Sequence, residues 1–156
     1  MSKLSQLTVR RARLADAAAV RSLTRRAYAP WISVIGREPL PMQADYEKAV
    51  CEHEIDLLYA GSDLVGLIEM IAASDHLFIE NIAVAPEHQR MGLGHHLLSH
   101  AEAKAKRAAL WELRLLTNHA FATNVRLYQS VGFRIDRTEP HFDGGTTVYM
   151  SKSLSA

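Results

Sequence analysis

Cysteine, long apolar runs and blocks of like charge are all scarce in this sequence. Cys51 is the only cysteine, which excludes an internal disulfide framework and fits a reducing cytosol. No apolar run approaches the ~18 residues of a membrane-spanning helix, and Met1–Gln6 lacks the apolar core of a signal peptide. The net charge is +1, so neither nucleic acid nor membrane is indicated as a partner. We expect a single cytoplasmic domain over residues 1–156.

Hydrophobic periodicity predicts alternating helices and strands. Four helices are predicted: Asp16–Ala29, Ala44–Cys51, Gly92–Ala108 and Thr123–Val131. Pro30 is expected to end the first helix, and residues 31–42 to form a loop rich in apolar side chains. Seven strands are predicted: Leu7–Arg11, Asp56–Ala60, Leu64–Ala72, His76–Val84, Leu113–Thr117, Phe133–Thr138 and Thr146–Lys152. This order indicates an α/β (α+β) fold with a mixed, mostly antiparallel central sheet of six to seven strands, flanked by about four helices.

The turn that follows the strand ending at Val84 has the character of an anion site. Gly92 and Gly94 open an amphipathic helix there, and a helix start offers unpaired N–H groups and the positive end of a dipole. A dinucleotide motif would need a third glycine where Leu97 stands. A nucleotide P-loop would need Lys and then Ser or Thr where His95-His96 stand. Both of these phosphate-binding motifs are therefore excluded.

A third phosphate-binding pattern fits the same turn. Gln89-Arg90-Met91-Gly92-Leu93-Gly94 resembles Q/R-x-x-G-x-G/A, the acyl-CoA pyrophosphate loop of the GNAT superfamily of N-acetyltransferases. Val84-x-Pro86 precedes it at the family's spacing, and Leu127-Tyr128, followed by three residues and Gly132-Phe133, resembles the second family signature. The resemblance is specific from about Leu77 to Phe133. It implies the GNAT acyl-CoA N-acyltransferase fold and acetyl-CoA as co-substrate, with no metal.

The resemblance also implies where the cofactor binds. Backbone N–H groups from about Met91 to His95 would hold the CoA pyrophosphate, with a charge-assisted contact from Arg90. The main chain at Ile82 and Val84 would pair with the pantetheine arm. Phe121 replaces the asparagine that many members carry, so Asn118 or Asn124 would contact CoA instead, with helix capping as the alternative. The implied cofactor-binding residues are Ile82, Ala83, Val84, Gln89, Arg90, Met91, Gly92, Leu93, Gly94, His95, Asn118, Asn124 and Tyr128.

Acetyl transfer to an amine also requires proton movements, because a lysine amine has an ordinary pKa of about 10.4 and must attack in its neutral form. Tyr128, at the family's Leu-Tyr position, is the candidate acid for the leaving thiolate. Glu80 is the candidate base, since it lies four residues before Val84 and is expected on the same face of the strand. Glu69 is a weaker substitute. The alternatives are a core tyrosine and a solvated or paired glutamate.

In this family the acceptor lies between the first two helices and the later strands. The candidate substrate-binding residues there are Tyr28, Trp31, Arg37 and Glu80, and Arg37 would suit an acceptor that bears a carboxylate. The closing hairpin, with His141, Phe142 and Tyr149, would form the other wall. His96 and His100 have i,i+4 spacing, but no zinc pattern accompanies them, so we predict exposed histidines rather than a metal site.

The chain is therefore identified as a member of the GNAT superfamily, and the expected activity is transfer of acetyl from acetyl-CoA directly to a primary amine of a small molecule or a peptide or protein, through a ternary complex. Cys51 lies away from every motif, so no covalent acetyl-enzyme is expected. The alternative is a catalytically silent acyl-CoA-binding sensor or interaction module, and a longer acyl group is a further possibility. The acceptor amine and the choice between monomer and homodimer stay open.

Overall fold

One mixed sheet of seven strands organises the protein. The computed structural model describes residues 6–141 and 144–155. Residues 1–5, for which the sequence indicated no signal peptide, lie outside the described residues. The strands are β1 (Leu7–Arg11), β2 (Glu54–Ala60), β3 (Asp63–Ala72), β4 (Leu77–Val84), β5 (Glu112–Asn118), β6 (Arg134–Pro140) and β7 (Thr146–Ser153). Their order is β1-β2-β3-β4-β5-β7-β6, and of the neighbouring pairs only β4–β5 is parallel. The predicted mixed, mostly antiparallel sheet is confirmed.

The helices pack on both faces of this sheet. They are α1 (Ala17–Tyr28), α2 (Ile32–Ile35), α3 (Leu40–Gln43), α4 (Tyr46–Glu52), α5 (Leu93–Arg107) and α6 (Ala122–Ser130). The four predicted helices correspond to α1, α4, α5 and α6. The expectation of a plain loop after Pro30 is wrong, because α2 and α3 lie there. Pro30 occupies the first turn of the 3-10 helix Ala29–Trp31, where its missing N–H would have had no helical partner.

Two buried clusters lie on opposite faces of the sheet, and consecutive β2 residues alternate between them. Leu58 belongs to the cluster under α5, to which that helix contributes a stripe including Leu97 and Ala101. Leu57 belongs to the cluster under α1 and α4, together with Leu23 and Tyr46. Among the helices of residues 6–141 and 144–155, none combines the length and apolar character that crossing a bilayer requires.

The centre of the sheet is split between β4 and β5. Only Leu77–Ile79 of β4 pairs with β5, opposite Leu113–Leu115, although both strands continue beyond these residues. A bulge occurs at the same point, because Ile79 pairs with Met70 of β3 and Asn81 pairs with Glu69, which leaves Glu80 without a β3 partner. From Glu80 onward, one edge of β4 therefore faces a gap.

The bulge also changes which way the β4 side chains point. Val84 packs against the cluster under α5, whereas Glu80 shares a cavity with Asn81 and Glu69. The expectation that Glu80 and Val84 share one face is therefore wrong, since it assumed an uninterrupted alternation and the extra residue breaks it.

Candidate active site

A cavity of about 670 Å³ opens where β4 and β5 separate. Its volume lies within the range of small-molecule sites. Its walls come from α1, the segment that contains α2 to α4, strands β3 to β5, and α6. The lining includes Tyr28, Arg37, Tyr46, His53, Glu69, Glu80, Asn81, Ile82, Asn118, Phe121, Tyr128 and His141.

The glycine turn before α5 has the conformation of an anion site. Arg90 and Gly92 both have positive φ, 66° and 80°. The first backbone bond of the helix runs from His96 N to Gly92 O at 3.0 Å, so the N–H groups that precede His96 have no partner within the helix. Met91, Arg90 and His95 are exposed around them. The turn therefore presents free N–H groups and a cationic side chain to solvent.

Gly94 has a packing role that sequence reasoning did not foresee. A Cβ atom built on Gly94 would lie 3.0 Å from Cδ2 of Leu127 in α6, a tight contact. A Cβ on Gly92 would meet no atom within 4 Å, so Gly92 is required for its backbone conformation instead. One glycine shapes the turn, and the other lets α5 approach α6, which carries Tyr128.

The free edge of β4 presents backbone groups to the gap. The carbonyl of Ile82 accepts from the Tyr28 hydroxyl at 3.3 Å, and that of Val84 accepts from Gln89 Nε2 at 3.2 Å, so neither carbonyl points into the β3 ladder. Ala85 N, one residue on, does donate to Val65 O at 2.9 Å. Because N–H and C=O of one residue point the same way in an antiparallel pair, the N–H groups of Ile82 and Val84 also face the gap.

Tyr128 reaches the cavity from α6. Its side chain is buried, with its ring centroid 5.8 Å from that of Phe133. Burial raises the pKa of Tyr128 above the ordinary tyrosine value of 10.0. Within residues 6–141 and 144–155, no group is hydrogen-bonded to its hydroxyl. The hydroxyl therefore stays protonated at neutral pH and is free to donate into the cavity.

Glu80 lines the same cavity from the bulge of β4. Burial raises its pKa above the ordinary glutamate value, the negative charge of Glu69 raises it further, and His53 opposes both effects. Glu80 is nevertheless exposed at the cavity. A carboxylate whose pKa is raised in this way binds a proton more readily than an unperturbed glutamate does. Glu80 thus has the properties expected of a base.

A histidine–glutamate pair stands beside Glu80, and sequence reasoning missed its histidine. His53 Nδ1 lies 2.6 Å from Oε2 of Glu69, which is buried. The only sequence signal for this pair was Glu69 itself, a charged residue within an otherwise apolar strand. His53, at the junction of α4 and β2, shows no such signal.

Asn81 was also missed, and it explains the position of Tyr28. The Tyr28 hydroxyl donates to Asn81 Oδ1 at 3.0 Å, and Asn81 Nδ2 donates to the Tyr46 hydroxyl at 3.2 Å and to Thr24 Oγ1 at 3.3 Å. Tyr28 therefore lines the cavity with its hydroxyl already engaged, and this buried network fixes α1 and α4 to β4.

The other predicted acceptor residues differ in position. Arg37 lines the cavity, and its Nη1 donates to Glu38 O at 3.2 Å. Trp31 does not line the cavity. Its ring packs against that of Phe121, which does, with 4.7 Å between the ring centroids. Of the closing hairpin, His141 lines the cavity, Tyr149 does not, and Phe142 lies outside the described residues.

The two asparagines have different surroundings. Asn118, at the end of β5, lines the cavity, and its Oδ1 accepts from Ala120 N at 2.9 Å, so its side chain caps a turn. Asn124 lies in the first turn of α6 outside the cavity lining, and no described residue bonds its side chain.

The histidines of α5 do not form a metal site among the described residues. His96 is exposed, as expected, and His95 is exposed as well. The expectation for His100 is wrong, because its Nε2 lies 2.7 Å from Oδ2 of the buried Asp56. Two cations contact the same carboxylate, Arg11 at 2.9 Å and Lys104 at 3.2 Å. This cluster ties α5 to β2.

Comparison with protein families gives one clear match. Residues 18–133 match the model of the Acetyltransferase (GNAT) family. No curated protein sequence is significantly similar to the chain. The matched segment includes α1, the split strand β4, the glycine turn and Tyr128, so it covers most of the site described above.

Several solved structures share the fold. The chain is similar to the ribosomal-protein-S18-alanine N-acetyltransferase from Escherichia coli, with 22% identity, a TM-score of 0.78, and 96% of this chain and 95% of that chain covered. It is similar to the PaiA N-acetyltransferase from Thermoplasma acidophilum in complex with coenzyme A, with 18% identity, a TM-score of 0.81, and 99% and 100% covered. A third is YncA from Salmonella typhimurium with acetyl-CoA, with 20% identity, a TM-score of 0.71, and 96% and 95% covered.

Proposed function

The chain belongs to the acetyltransferase (GNAT) family, and from that premise we propose that it transfers acetyl from acetyl-CoA directly to a primary amine of a small molecule or peptide, as one catalytic domain. One observation carries the proposal: the β4–β5 split brings a free strand edge, a protonated tyrosine and a carboxylate to a single cavity. The glycine turn follows in the chain at the end of that strand. These are the parts that amide formation from a thioester requires.

The described residues fit acetyl-CoA. The unpaired N–H groups at the start of α5, with Arg90 beside them, suit a pyrophosphate. The outward backbone of Ile82 and Val84 suits the amides of a pantetheine arm. Bound acetyl-CoA would supply the acetyl group as an activated thioester. Asn124 and Asn118 are proposed as further contacts to the CoA arm.

The proton transfers follow from the positions of two side chains. As the amine nitrogen bonds to the acetyl carbon and the carbon–sulfur bond breaks, Glu80 accepts a proton from the nitrogen. Tyr128 donates the proton of its hydroxyl to the departing thiolate. Before the next turnover Glu80 releases its proton to solvent and the Tyr128 phenolate takes one up, so the two transfers balance. A raised pKa serves both roles, because it strengthens Glu80 as a base and keeps Tyr128 protonated. Each such group typically contributes about 10²–10⁴-fold in rate.

Direct transfer is favoured over a cysteine-bound acetyl intermediate. Cys51 is exposed and is absent from the residues that line the cavity. The acceptor then meets the thioester within the cavity, where Tyr28, Arg37 and Glu80 are the proposed contacts. Trp31 would act indirectly, because its ring packs against Phe121, which lines the cavity.

Thermal unfolding with acetyl-CoA tests the binding step. A ligand at 100 times its Kd stabilises a protein by about 2.7 kcal/mol, which for a chain of this size raises Tm by roughly 5–10 °C. Acetyl-CoA should produce this shift, and longer acyl-CoA thioesters measured alongside it report acyl preference. The absence of a shift with any acyl-CoA would overturn the proposal.

Release of free CoA thiol with a panel of amines tests the chemistry. One structural neighbour is named for an alanine of a ribosomal protein, so the panel pairs alanine peptides with small primary amines. Amine-dependent thiol release is the expected result. A thermal shift without turnover on the whole panel would instead support the silent acyl-CoA-binding module.

A further inference from the structure

A buried hydrogen-bond network lies behind the free edge of β4, and the groups in it allow only one direction of donation. The Tyr46 hydroxyl donates its single proton to Pro41 O at 2.6 Å, so it can only accept from Asn81 Nδ2 at 3.2 Å. The other proton of Nδ2 goes to Thr24 Oγ1 at 3.3 Å. Oδ1 of Asn81 therefore faces Tyr28, whose hydroxyl donates to it at 3.0 Å.

The side chains of this network are almost completely excluded from solvent. Thr24 and Tyr46 are 0% exposed, Asn81 4% and Tyr28 9%. A polar group that loses its partner at such a depth finds no water to replace it, and this penalty keeps the network intact. Burial also raises the pKa of both tyrosines, so their hydroxyls stay protonated and continue to donate.

The Tyr28 hydroxyl also reaches the backbone that is proposed to contact the CoA arm. Ile82 O lies 3.3 Å from it, so two acceptors, Asn81 Oδ1 and Ile82 O, share one proton. A carbonyl oxygen has two lone pairs, so Ile82 O can accept from Tyr28 and from an amide N–H of the arm at the same time. The Tyr28 ring, which lines the cavity, stays available to the acceptor.

The free edge of β4 needs such a support because its ladder is incomplete. Pairing with β5 ends at Ile79, and Glu80 in the bulge has no β3 partner. Ile82 pairs on one side only, with Ile68 of β3. On its open side, the Tyr28 hydroxyl supplies the contact that a neighbouring strand supplies elsewhere in the sheet. Because N–H and C=O of Ile82 point the same way, a bond that holds the carbonyl also sets the direction of the N–H.

We propose that Tyr28 is a positioning residue for acetyl-CoA, with Asn81 setting the direction of its hydroxyl. Held in this way, the Ile82 carbonyl and N–H face the gap before the ligand binds, and the pantetheine arm meets an edge that is already in place. Ordering the edge in advance lowers the entropy cost of binding and so raises affinity. The inference rests on the proposed function.

Tyr28→Phe in the full chain tests the inference with two ligands, because it removes one hydroxyl and keeps the ring. The Kd of acetyl-CoA, measured by calorimetry, should rise roughly tenfold, which corresponds to about 1.4 kcal/mol. The Kd of adenosine 3′-phosphate 5′-diphosphate, which keeps the phosphates of CoA but lacks the arm, should not change. Distortion of the fold would weaken the binding of both ligands alike.

Asn81→Ala tests the role of the amide, and Tyr59→Phe is the matched control. If Asn81 acts through Tyr28, Asn81→Ala should show the same selective loss of acetyl-CoA affinity, and the double variant should lose no more than Tyr28→Phe alone. Tyr59 also has a bonded hydroxyl, which accepts from Arg10 Nη2 at 3.0 Å, but it does not line the cavity. Tyr59→Phe should therefore bind both ligands as the wild type does.

The outcomes separate this inference from the proposed function. An acetyl-CoA Kd in Tyr28→Phe that equals the wild-type value overturns the inference alone, and so does an equal loss of affinity for both ligands. Additive losses in the double variant overturn the role of Asn81. If Tyr28→Phe does not fold, Asn81→Ala decides with the same two ligands. A wild type that does not bind acetyl-CoA overturns the proposed function itself.

Discussion

Replacing Tyr128 by phenylalanine should separate catalysis from stability. The change removes one hydroxyl and keeps the ring that packs near Phe133. The hydroxyl opens into the cavity and no described residue bonds to it, so its removal breaks no hydrogen bond within the described part of the protein. We therefore expect Tyr128→Phe to be as stable as the wild type.

The same change should greatly slow the reaction. If Tyr128 protonates the thiolate, its loss lowers kcat by about 10²–10⁴-fold, which corresponds to roughly 2.7–5.5 kcal/mol of barrier at 1.36 kcal/mol per decade. Acetyl-CoA affinity should change little, since the hydroxyl is assigned to the leaving group. In the wild type, kcat should hold as pH rises and fall only above 10.0, because a raised pKa keeps the acid protonated up to that point.

Thermal melting with and without acetyl-CoA and steady-state thiol release measure these quantities. Tyr46→Phe is the control for loss of a buried hydroxyl, since Tyr46 donates to Pro41 O at 2.6 Å and should lose about 1 kcal/mol of stability without it. An unchanged kcat in Tyr128→Phe would remove Tyr128 as the acid. A clear loss of its stability would show that the hydroxyl is bonded after all.

Three further predictions concern the base, the turn and the groups around the buried Asp56 carboxylate. In the wild type, kcat/KM should fall on the acidic side of the pH profile with an apparent pKa above 4.5, because the pKa of Glu80 is raised. Glu80→Gln should abolish this acidic limb. An acidic limb that persists unchanged in the variant would show that another group is the base. Gly92→Ala should lower the free energy of unfolding by about 1–2 kcal/mol in melting experiments and weaken acetyl-CoA binding, because the φ of 80° is strained for alanine although no atom crowds the new Cβ. Gly94→Ala, whose Cβ is crowded only by Leu127, is the comparison. Equal acetyl-CoA affinity in the wild type and Gly92→Ala would contradict the role of this turn in CoA binding. Asp56→Asn should lose about 3 kcal/mol by urea unfolding at pH 7, because it removes the carboxylate that Arg11, Lys104 and the His100 imidazole share. Burial opposes ionisation of Asp56, yet hydrogen bonds from His100 and Arg11 hold its pKa below the ordinary value. The stabilisation by the Asp56 carboxylate is therefore present above about pH 3.9, and the stability difference between Asp56→Asn and the wild type should shrink as pH falls below that value. A stability difference that does not change with pH would refute this.

Features encoded within a few consecutive residues could be predicted from the sequence. The glycine turn is local: Gly92 takes its left-handed conformation at the start of α5, and the apolar stripe of that helix follows from its own spacing. The order of strands and helices is also carried by local periodicity. The short helices α2 and α3 were not predicted, because segments of only four residues are too short to show a helical period.

The His53–Glu69 pair could not be predicted because it depends on a register shift. The β2–β3 hairpin starts with Ala60 opposite Asp63, and continuing that register would place Ile68 opposite Ile55. The shift at Leu58/Tyr59 moves Glu69 into that place instead, on the face of α1 and α4. Without the shift, Glu69 would point to the α5 side and could not meet His53. The position of a bulge depends on tertiary packing, so no local sequence pattern predicts it.

The bulge at Glu80 has the same origin, and its consequence is larger. The β3–β4 register near the turn pairs Met70 with Ile79, and its continuation would set Glu80 directly opposite Glu69. Two carboxylates facing each other across a ladder repel. The bulge puts Asn81 opposite Glu69 and leaves Glu80 free at the point where β4 leaves β5. A single extra residue thus relieves the repulsion and leaves both carboxylates on one cavity, at the point where the β4 edge becomes free for the proposed contact with the CoA arm.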